Sequence, residues 1–567
     1  MANFMKVLTS VGMFTVDFRK WVFHRPDSWR DTAALILGLV IITAQPFYLH
    51  GAVNIFEAGL YLPGIDAILK GQMPYRDFIH LRGPLELYIP ALGMKILGEN
   101  YAVLPTYFYV GTLITMGFCL LIAKKVYQTR AFLYLMALVF IARTFPRVSF
   151  TIGGGVRLAW GLVAIYCIIR YFKTKRRLWL FWGGVFSAVG MMTSIEIGVY
   201  AFLSVLTTLC VESFIKRRNW LPLSSIVVYG VGSMIVFLPL CFFLESQQAF
   251  HPMLETYREV CLNLVKTFPQ IGPAPRSILD VFAVMLNPAD ANFKYIAPLY
   301  CYVFIFVYLL YSCRKSQLRP EVLLLAIYGF LLFIGSMRSL GGPGFDIALQ
   351  PGKILLFFLL ERIWSILKDN REKYRQVIAG VLLAGIFFST MVYSAIRYQK
   401  RFCFMKIIFA TKNGTGAIES ACTLSEQELV HLDLPRMEGM VVPLAQAKDM
   451  QQLYQFIHSH TEPEQSILFF PDLGAYHFIV DRPFVGRFPV YTLSWIGTRW
   501  HEEFMRAFDA VKPPYIVMYK QLPEYFAATQ LIVPKNNAKH GQVLGYIYRN
   551  YQVVSDTPSL NIWGRKQ

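Results

Sequence analysis

The sequence predicts an α-helical polytopic membrane protein with a small α/β domain at its C-terminal end. Three observations support this fold class. The 567-residue chain is 55% hydrophobic and only 16% charged, whereas soluble proteins are usually about 25% charged. Apolar runs long enough to cross a bilayer recur along the first two thirds of the chain. After about residue 396 these runs stop, and short strand patterns alternate with amphipathic helix patterns.

We expect about eleven transmembrane helices, because roughly 17–25 apolar residues are needed to cross the hydrocarbon layer as a helix. The predicted spans are 32–50, 102–123, 130–147, 156–172, 178–194, 196–214, 222–244, 296–313, 320–337, 353–368 and 375–395. They divide the chain into an N-terminal arm (1–31), a transmembrane domain (32–395) and a C-terminal domain (396–567).

The distribution of basic residues sets the predicted orientation. The net charge is +20, but much of the excess lies in short connections such as "KKVYQTR" and "RYFKTKRR", which contain no acidic residue. Cytoplasmic loops of membrane proteins carry this bias, so the charge indicates topology rather than nucleic-acid binding. The basic N-terminal arm is then cytoplasmic. The first outer loop (51–101), a second loop near 245–295 and the C-terminal domain lie on the opposite side.

The C-terminal domain combines strand and helix patterns. The segments "SILFFP" and "PYIVMY" predict short buried strands, and "AQAKDMQQLYQFIHSH" and "RWHEEFMRAFDAV" predict amphipathic helices. We expect this small extracytoplasmic domain to rest on the outer ends of the spans. Its polar segment "FPDLGAYHFIVDRPFVGRFPVY" has no catalytic spacing and favours a turn network that stabilises the fold.

The first outer loop concentrates ionisable residues at the membrane edge. They are the acids Glu57, Asp66, Asp77 and Glu86 and the bases Arg76, His80 and Arg82. The segments "LYLPGIDAILKG" and "PLELYIPALGMKILG" have helical spacing and flank a turn, "KGQMPYRDF". We expect two helices in the plane of the membrane interface, with an apolar face against the bilayer surface made by Leu60, Ile65, Ile68 and Leu69.

The ionisable candidates also have structural explanations. At the mouth of a helix bundle the Glu57 carboxylate costs desolvation free energy unless it has a partner or a function. A carboxylate is also favourable at a helix start, which is the structural explanation. Asp77 is typical of turns and could cap the following helix. His80 and Arg82 could be solvated interface residues. Glu196, in "TSIEIGVY" between the fifth and sixth spans, is either a buried acid near the site or a charge at a capped helix start.

The loop also carries an ordered pattern of motifs. An acid is followed by Gly-x-Tyr, as Glu57-Ala58-Gly59-Leu60-Tyr61, and then come "GQMPYRDF" and "RGPLELYIPALGMKILG". Over about forty residues this segment resembles the first outer loop of the GT-C glycosyltransferases, which include the aminoarabinose transferase of lipid A modification and the protein O-mannosyltransferases. Two departures stand out. The first acid is Glu and is followed by Ala58 instead of a second acid, and the fourth span begins with Arg157 where some relatives have an Asp.

The resemblance implies transfer of a sugar from a polyprenyl-phosphate carrier to a glycan, lipid or protein acceptor, with inversion at the sugar carbon. In such a reaction a carboxylate takes the acceptor proton, and cations stabilise the negative charge of the leaving phosphate. By resemblance, Glu57 is the candidate base. Asp77 is the second catalytic candidate, which would orient the acceptor, bind a divalent cation or hold Arg76.

Candidates for binding the substrate and its phosphate lie in two segments. In the first outer loop they are Tyr75, Arg76, His80 and Arg82. In the outer loop "MRSLGGPGFDIALQPGK" they are Arg338 and Lys353, since arginine forks and lysine point charges both suit phosphate. The sequence has no Cys/His spacing typical of a zinc site, and we expect no cofactor beyond an optional divalent cation.

Two other functions fit a polytopic chain of this kind. A transporter or lipid flippase would have charged or broken helices near the membrane midplane and internal repeats. A non-catalytic partner in envelope polysaccharide assembly would share the topology but lack the base. The acids of this chain cluster at the membrane edge instead, and we find no internal repeat. We therefore expect a glycosyltransferase integral to a bacterial inner membrane, with its site on the outer face.

Overall fold

The computed structural model describes residues 21–26, 28–43, 49, 51–144, 154–217, 222–267, 278–315, 317–337, 348–369, 372–401, 428–523 and 534–566. In the first part of the chain its helices are α1 (Trp29–Thr43), α2 (Ile55–Gly59), α3 (Leu62–Leu69), α4 (Leu85–Leu97), α5 (Val103–Val126), α6 (Arg130–Thr144), α7 (Gly154–Thr174), α8 (Arg177–Thr193), α9 (Ile195–Arg217), α10 (Leu223–Ser246), α11 (Phe250–Thr267), α12 (Ile278–Leu286), α13 (Phe293–Ile296), α14 (Pro298–Arg314), α15 (Pro320–Ser336), α16 (Gln350–Lys368) and α17 (Lys373–Arg401).

A helix lies at every position where a span is predicted, namely α1, α5 to α10 and α14 to α17. Among the described residues, five helices are long and apolar enough to cross a membrane, which are Val103–Val126, Ile195–Ile215, Leu223–Ser246, Phe293–Arg314 and Lys373–Ala395. The fold is therefore that of a mainly helical membrane protein, as predicted. The number of eleven spans stays a prediction.

Small residues bring the outer ends of the helices together. A Cβ atom on Gly111 of α5 would lie 2.8 Å from the Cα of Val156 on α7. A Cβ on Gly198 of α9 would lie 2.3 Å from the Cα of Met191 on α8. Close backbone approach at small residues is typical of membrane helix bundles. These contacts fix α5 against α7 and α8 against α9, and a Cβ on Gly161 of α7 would lie 3.0 Å from Ile197 of α9.

The first outer loop folds into α2, α3 and α4 around a tight turn, and the predicted helices at both sides of "KGQMPYRDF" are confirmed. Asn54 caps α2 by accepting a hydrogen bond from the Glu57 N–H at 3.1 Å. In the turn Tyr75 adopts a φ of 70°. Asp77 accepts a hydrogen bond from the Met73 N–H at 2.7 Å, and this bond closes the turn.

The apolar face of α3 has a different environment from the one predicted. Ile65 is fully buried, and it belongs to one hydrophobic core with Phe478 and Ile479 of the C-terminal domain. Periodicity identifies an apolar face but does not say whether protein or lipid covers it. The apolar side chains that stay exposed in this loop are on α4, where Ile96 and Leu97 are examples.

The C-terminal domain has the predicted α/β composition. Its elements are β1 (Leu429–His431), β2 (Val441–Pro443), α18 (Leu444–His460), β3 (Leu468–Phe470), α19 (Ala475–Ile479), α20 (Thr498–Val511), β4 (Tyr515–Tyr519), α21 (Pro534–Asn550), β5 (Tyr551–Asp556) and β6 (Leu560–Arg565). Both predicted strands (β3 and β4) and both predicted helices (α18 and α20) are confirmed. The larger sheet has the order β3-β4-β6-β5, with β3 parallel to β4 and the other pairs antiparallel.

The C-terminal domain is joined to the first outer loop by ion pairs as well as by the shared core. Lys70 Nζ lies 2.7 Å from Asp481 Oδ1. Arg436 contacts Asp66 at 2.9 Å and Asp481 at 3.1 Å. A Cβ atom on Gly59 would lie 2.8 Å from the Ala475 nitrogen, so the two backbones touch. The domain rests on the loop itself, and through it on the helix bundle.

Charges at the opposite ends of the helices have structural partners. Arg130 Nε donates to Asp31 at 2.7 Å, and both side chains are buried. Glu361, inside the tenth predicted span, accepts hydrogen bonds from the backbone N–H groups of Gln128 and Thr129. It therefore caps the start of α6. These groups fasten the predicted cytoplasmic ends of the bundle and lie away from the first outer loop.

Candidate active site

The candidate site is organised around the guanidinium of Arg82. Its Nη1 donates to the carboxylate of Glu86 at 2.9 Å and also to the hydroxyl of Tyr61. The Tyr61 hydroxyl in turn donates to Glu86 at 3.1 Å. Burial opposes the charge of Arg82, but Glu86 and Tyr61 more than compensate and raise its pKa. Arg82 is thus a fixed cation rather than a solvated interface residue.

His80 lies on the other side of Glu86. Its Nε2 is 3.5 Å from Oε2 of Glu86, and the His80 side chain is buried. Burial, together with the charge of Arg82, lowers the pKa of His80 to about 3. His80 is therefore neutral at physiological pH. It cannot supply the positive charge that a phosphate-binding role would need.

The backbone at Arg82 is held by two tyrosines. The Tyr75 hydroxyl donates to the carbonyl of Arg82, and the Tyr257 hydroxyl of α11 does so at 3.3 Å. Tyr75 is fully buried. The structure thus gives Tyr75, a predicted substrate-binding residue, the role of fixing Arg82.

The carboxylate of Glu57 makes no side-chain hydrogen bond to a described residue, whereas the other buried acid of the site, Glu86, accepts hydrogen bonds at its Oε1 from Arg82 and Tyr61. Within the described part of the chain, Oε2 of Glu57 is buried and accepts no hydrogen bond. Burial raises the pKa of Glu57 to about 7, against the opposing attraction of Arg82 and Arg157. The helix-start explanation holds for its backbone, which Asn54 caps. It does not explain the buried carboxylate.

A second guanidinium, that of Arg157, enters the site from the helix bundle. Its Nε donates to Ser194 Oγ at 3.2 Å, and its Nη2 pairs with Glu196. Arg157 and Glu196 lie on the first turns of α7 and α9, which the glycine contacts hold together. Glu57, Arg82 and Arg157 therefore converge at the predicted outer end of the bundle, on three different parts of the chain.

The loop and the bundle meet at Gly83, directly after Arg82. The Gly83 N–H donates to the Thr193 carbonyl at 3.2 Å. A Cβ atom at Gly83 would lie 2.0 Å from the Met192 carbonyl oxygen, so only glycine fits here. This contact brings Arg82 beside Ser194, the partner of Arg157.

We expect Gly83→Ala to push the loop away from the turn between α8 and α9. Such overpacking costs about 1–3 kcal/mol, and it would separate Arg82 from Arg157. The purified variant should have a lower Tm and little activity. Gly230→Ala is the matched control, because nothing lies within 4 Å of a Cβ at that position. A Gly83→Ala protein as stable and active as Gly230→Ala would contradict this account of the contact.

Asp77 and Arg76 pair with each other at the turn. Arg76 donates to both carboxylate oxygens of Asp77 at 2.8 Å and to the Gln247 carbonyl at 2.9 Å. The Arg76 hydrogen bonds are the largest cause that lowers the pKa of Asp77. Of the roles predicted for Asp77, holding Arg76 is the one that these contacts describe. Its catalytic role stays a prediction.

Lys353, one of the two cations predicted in the second segment, does not join this cluster. Lys353 Nζ donates to Gln350 at 3.0 Å and lies over the ring of Phe140, and its charge acts on Cys119 of α5. Cys119 is about 16 Å further along α5 than Phe108, which packs on Tyr61. Lys353 is therefore deep in the bundle. Arg338 lies outside the described residues.

A divalent cation would need more donors than this cluster offers. Among the described residues, no group of three or more His, Cys, Asp or Glu side chains is placed to hold a metal ion. Asp77, the predicted metal ligand, already faces the cation Arg76 with both oxygens. In the described part of the chain, the positive charge near Glu57 comes from Arg82 and Arg157.

Sequence reasoning missed four contributors to the site, namely Tyr61, Glu86, Arg157 and Tyr257. Two of them left a signal. Glu86 stands four residues after Arg82, a spacing at which side chains meet on a helix. Arg157 replaces an acid of the motif pattern, and a replacement with opposite charge marks a change in local electrostatics. Tyr257 left none, because its contact with the Arg82 carbonyl depends on tertiary structure alone.

Comparison with known proteins agrees with the motif resemblance. No protein-family model and no curated protein sequence matches the chain. The crystal structure of ArnT from Cupriavidus metallidurans in the apo state matches with a TM-score of 0.51 at 11% identity, over 94% of this chain and 96% of that chain. The same protein bound to undecaprenyl phosphate matches with a TM-score of 0.50 at 11% identity, over 94% and 97%.

A third match is the archaeal oligosaccharyltransferase AglB from Archaeoglobus fulgidus, in complex with an inhibitory peptide and a dolichol-phosphate. Its TM-score is 0.48 at 13% identity, over 95% of this chain and 75% of that chain. At the identity of the ArnT matches, structural likeness establishes the fold. The chain has the GT-C fold, which the motifs of its first outer loop implied.

Proposed function

We propose that this protein is a glycosyltransferase that moves a sugar from a polyprenyl-phosphate carrier to a glycan, lipid or protein acceptor. The observation that carries the proposal is the state of Glu57. Its Oε2 is buried and has no hydrogen-bond partner among the described residues. Burial raises the pKa of Glu57 to about 7, against the charges of Arg82 and Arg157. A base with a pKa near the working pH is what proton abstraction from a weak acid requires.

In the proposed reaction the oxygen or nitrogen of the acceptor forms a bond to the anomeric carbon of the sugar. At the same time the acceptor hydroxyl or amine gives a proton to Glu57. The bond from that carbon to the phosphate oxygen breaks, and its electron pair stays on the phosphate. Attack from the side opposite the phosphate inverts the carbon. The negative charge grows on the leaving phosphate, where fixed cations lower the barrier most.

Fold and placement support this choice of donor. One of the two ArnT structures is bound to undecaprenyl phosphate, so a protein of this fold takes a lipid phosphate. Here Glu57 and Arg82 lie next to the outer ends of membrane helices, at the depth where the headgroup of a membrane lipid resides. A lipid-linked donor reaches such a site by diffusing in the bilayer.

We place the protein in a bacterial inner membrane, with the N-terminus in the cytoplasm and the C-terminal domain outside. The proposal rests on the charge bias of the loops and on the resemblance. The site would then face the compartment in which envelope glycans are assembled. The C-terminal domain, which shares a core with the loop, would cover the site from the aqueous side.

The test is a transfer assay with purified full-length protein in lipid nanodiscs. Undecaprenyl-phosphate sugars with a radiolabelled sugar are offered with a membrane extract as the acceptor. We expect label to leave the lipid fraction and appear in a larger product. Label that crosses the bilayer of proteoliposomes while remaining on its carrier would favour a flippase and contradict the proposal.

A further inference from the structure

The guanidinium of Arg157 is held at one edge only. Ser194 and Glu196 bind its Nε and Nη2, while its Nη1 makes no hydrogen bond to any residue in the described ranges. The side chain is 22% exposed. An arginine held in this way is pre-organised, because two of its nitrogens fix the plane and the third stays available to a ligand.

Arg82 is held in a complementary way. Its Nη1 makes the bonds to Tyr61 and Glu86, and neither Nε nor Nη2 donates to a residue that the structure describes. Its side chain is 20% exposed. The charges of both arginines act on Glu57, and that of Arg82 also acts on Glu196. The hydrogen bond from the Gly83 N–H to the Thr193 carbonyl also places Arg82 near Ser194, the partner of Arg157.

The other candidate cations are unsuited to that space. Arg76 already donates hydrogen bonds to Asp77 and to the Gln247 carbonyl. Lys353 lies deep in the bundle beside Phe140, and His80 is neutral. Among the candidate cations of the described segments, Arg82 and Arg157 are the two whose charges act on Glu57.

We propose that Arg157, acting with Arg82, binds the phosphate of the lipid carrier, and that Ser194 and Glu196 position Arg157 for it. This inference rests on the proposed function. Two guanidinium groups offer several N–H donors to phosphate oxygens, and such charge-assisted bonds are the strongest of their kind. The carboxylates of Glu86 and Glu196 each balance the charge of one arginine. The phosphate would therefore bind at a site with little excess positive charge.

Chemistry also explains why this pair would promote transfer. The phosphate is a diester with one negative charge in the donor and a monoester with up to two in the product. Fixed cations therefore stabilise the product-like transition state more than they stabilise the bound donor. Because Arg157 lies on the first turn of α7, a helix at the position of a predicted span, we expect the phosphate that it binds to belong to a membrane lipid.

The test measures binding of undecaprenyl phosphate and of uncharged undecaprenol to full-length protein in nanodiscs. Wild type should prefer the phosphate by about tenfold or more, the range for charge-assisted bonds. Arg157→Gln should lose most of this preference and keep its affinity for undecaprenol, and Arg157→Lys should keep part of it. Arg499→Gln is the matched control, since Arg499 is 77% exposed and lies 3.7 Å from Glu255.

Each outcome decides one question. If Arg157→Gln prefers the phosphate as strongly as wild type and Arg499→Gln, the inference about Arg157 is wrong and the proposed function stands. If wild type itself does not distinguish the two lipids, the proposed lipid-phosphate donor is wrong. If inorganic phosphate competes as well as undecaprenyl phosphate does, Arg157 binds a free anion, and the assignment of this site to a lipid is overturned.

Discussion

Glu57→Gln should abolish sugar transfer while leaving the protein folded and able to bind its lipid donor. Glutamine keeps the shape of the side chain but cannot accept a proton. Loss of a general base typically lowers the rate by about 100-fold to 10,000-fold, and we expect kcat to fall by that amount. The measurement is single-turnover release of labelled sugar from the lipid carrier, with donor saturating.

The control for this substitution is Glu255→Gln on α11. Glu255 is half exposed and its nearest ion partner, Arg499, is 3.7 Å away, so the variant should transfer at the wild-type rate. Glu57→Asp retains the carboxylate and should recover part of the activity. If Glu57→Gln transferred sugar as fast as Glu255→Gln, Glu57 would not be the base, and Asp77 would be the next residue to test.

The rate of transfer should rise with pH around a midpoint near 7. Burial raises the pKa of Glu57 to about 7, and only its ionised form accepts a proton. Below the midpoint kcat/KM should therefore fall by about tenfold per pH unit. His80, with a pKa lowered to about 3 by burial, does not titrate in this range, and guanidinium groups do not either.

The same profile in Arg157→Gln tests whether the titrating group is an acid on which the charge of Arg157 acts. The positive charges of Arg82 and Arg157 lower the pKa of Glu57, so removing one of them should move the midpoint to higher pH. Burial also raises the pKa of Glu86, the other buried acid here, and the charges of Arg82 and Arg157 oppose that shift too. A midpoint that is the same in wild type and Arg157→Gln would assign the pH dependence to another group.

Local patterns predicted much of the fold. Apolar length located the membrane helices, and the period of the pattern located β3, β4, α18 and α20. Motif spacing located the loop that holds Glu57 and Arg82. These properties depend on residues that are close in sequence, so they are visible in it.

The partners of the site residues were less predictable because they depend on tertiary packing. The assignment of Tyr75 and His80 to substrate stays a prediction. The sequence did not reveal that the Tyr75 hydroxyl donates to the Arg82 carbonyl or that His80 is buried beside Glu86. Arg157 stands 75 residues after Arg82, and both act on Glu57 only because close backbone contacts at glycines set the ends of the helices. No local signal specifies that the apolar face of α3 is covered by protein.

The core shared between α3 and the C-terminal domain has a consequence for biogenesis. Lys70 and Asp481, which pair across this junction, are 411 residues apart. At about 5–20 residues per second, synthesis of the intervening chain takes roughly 20–80 s. The loop that carries Glu57 is thus among the first segments to be translocated and among the last to be enclosed. An incomplete chain would insert its helices in the membrane yet leave Ile65 uncovered, and activity would begin only when the whole polypeptide has been delivered.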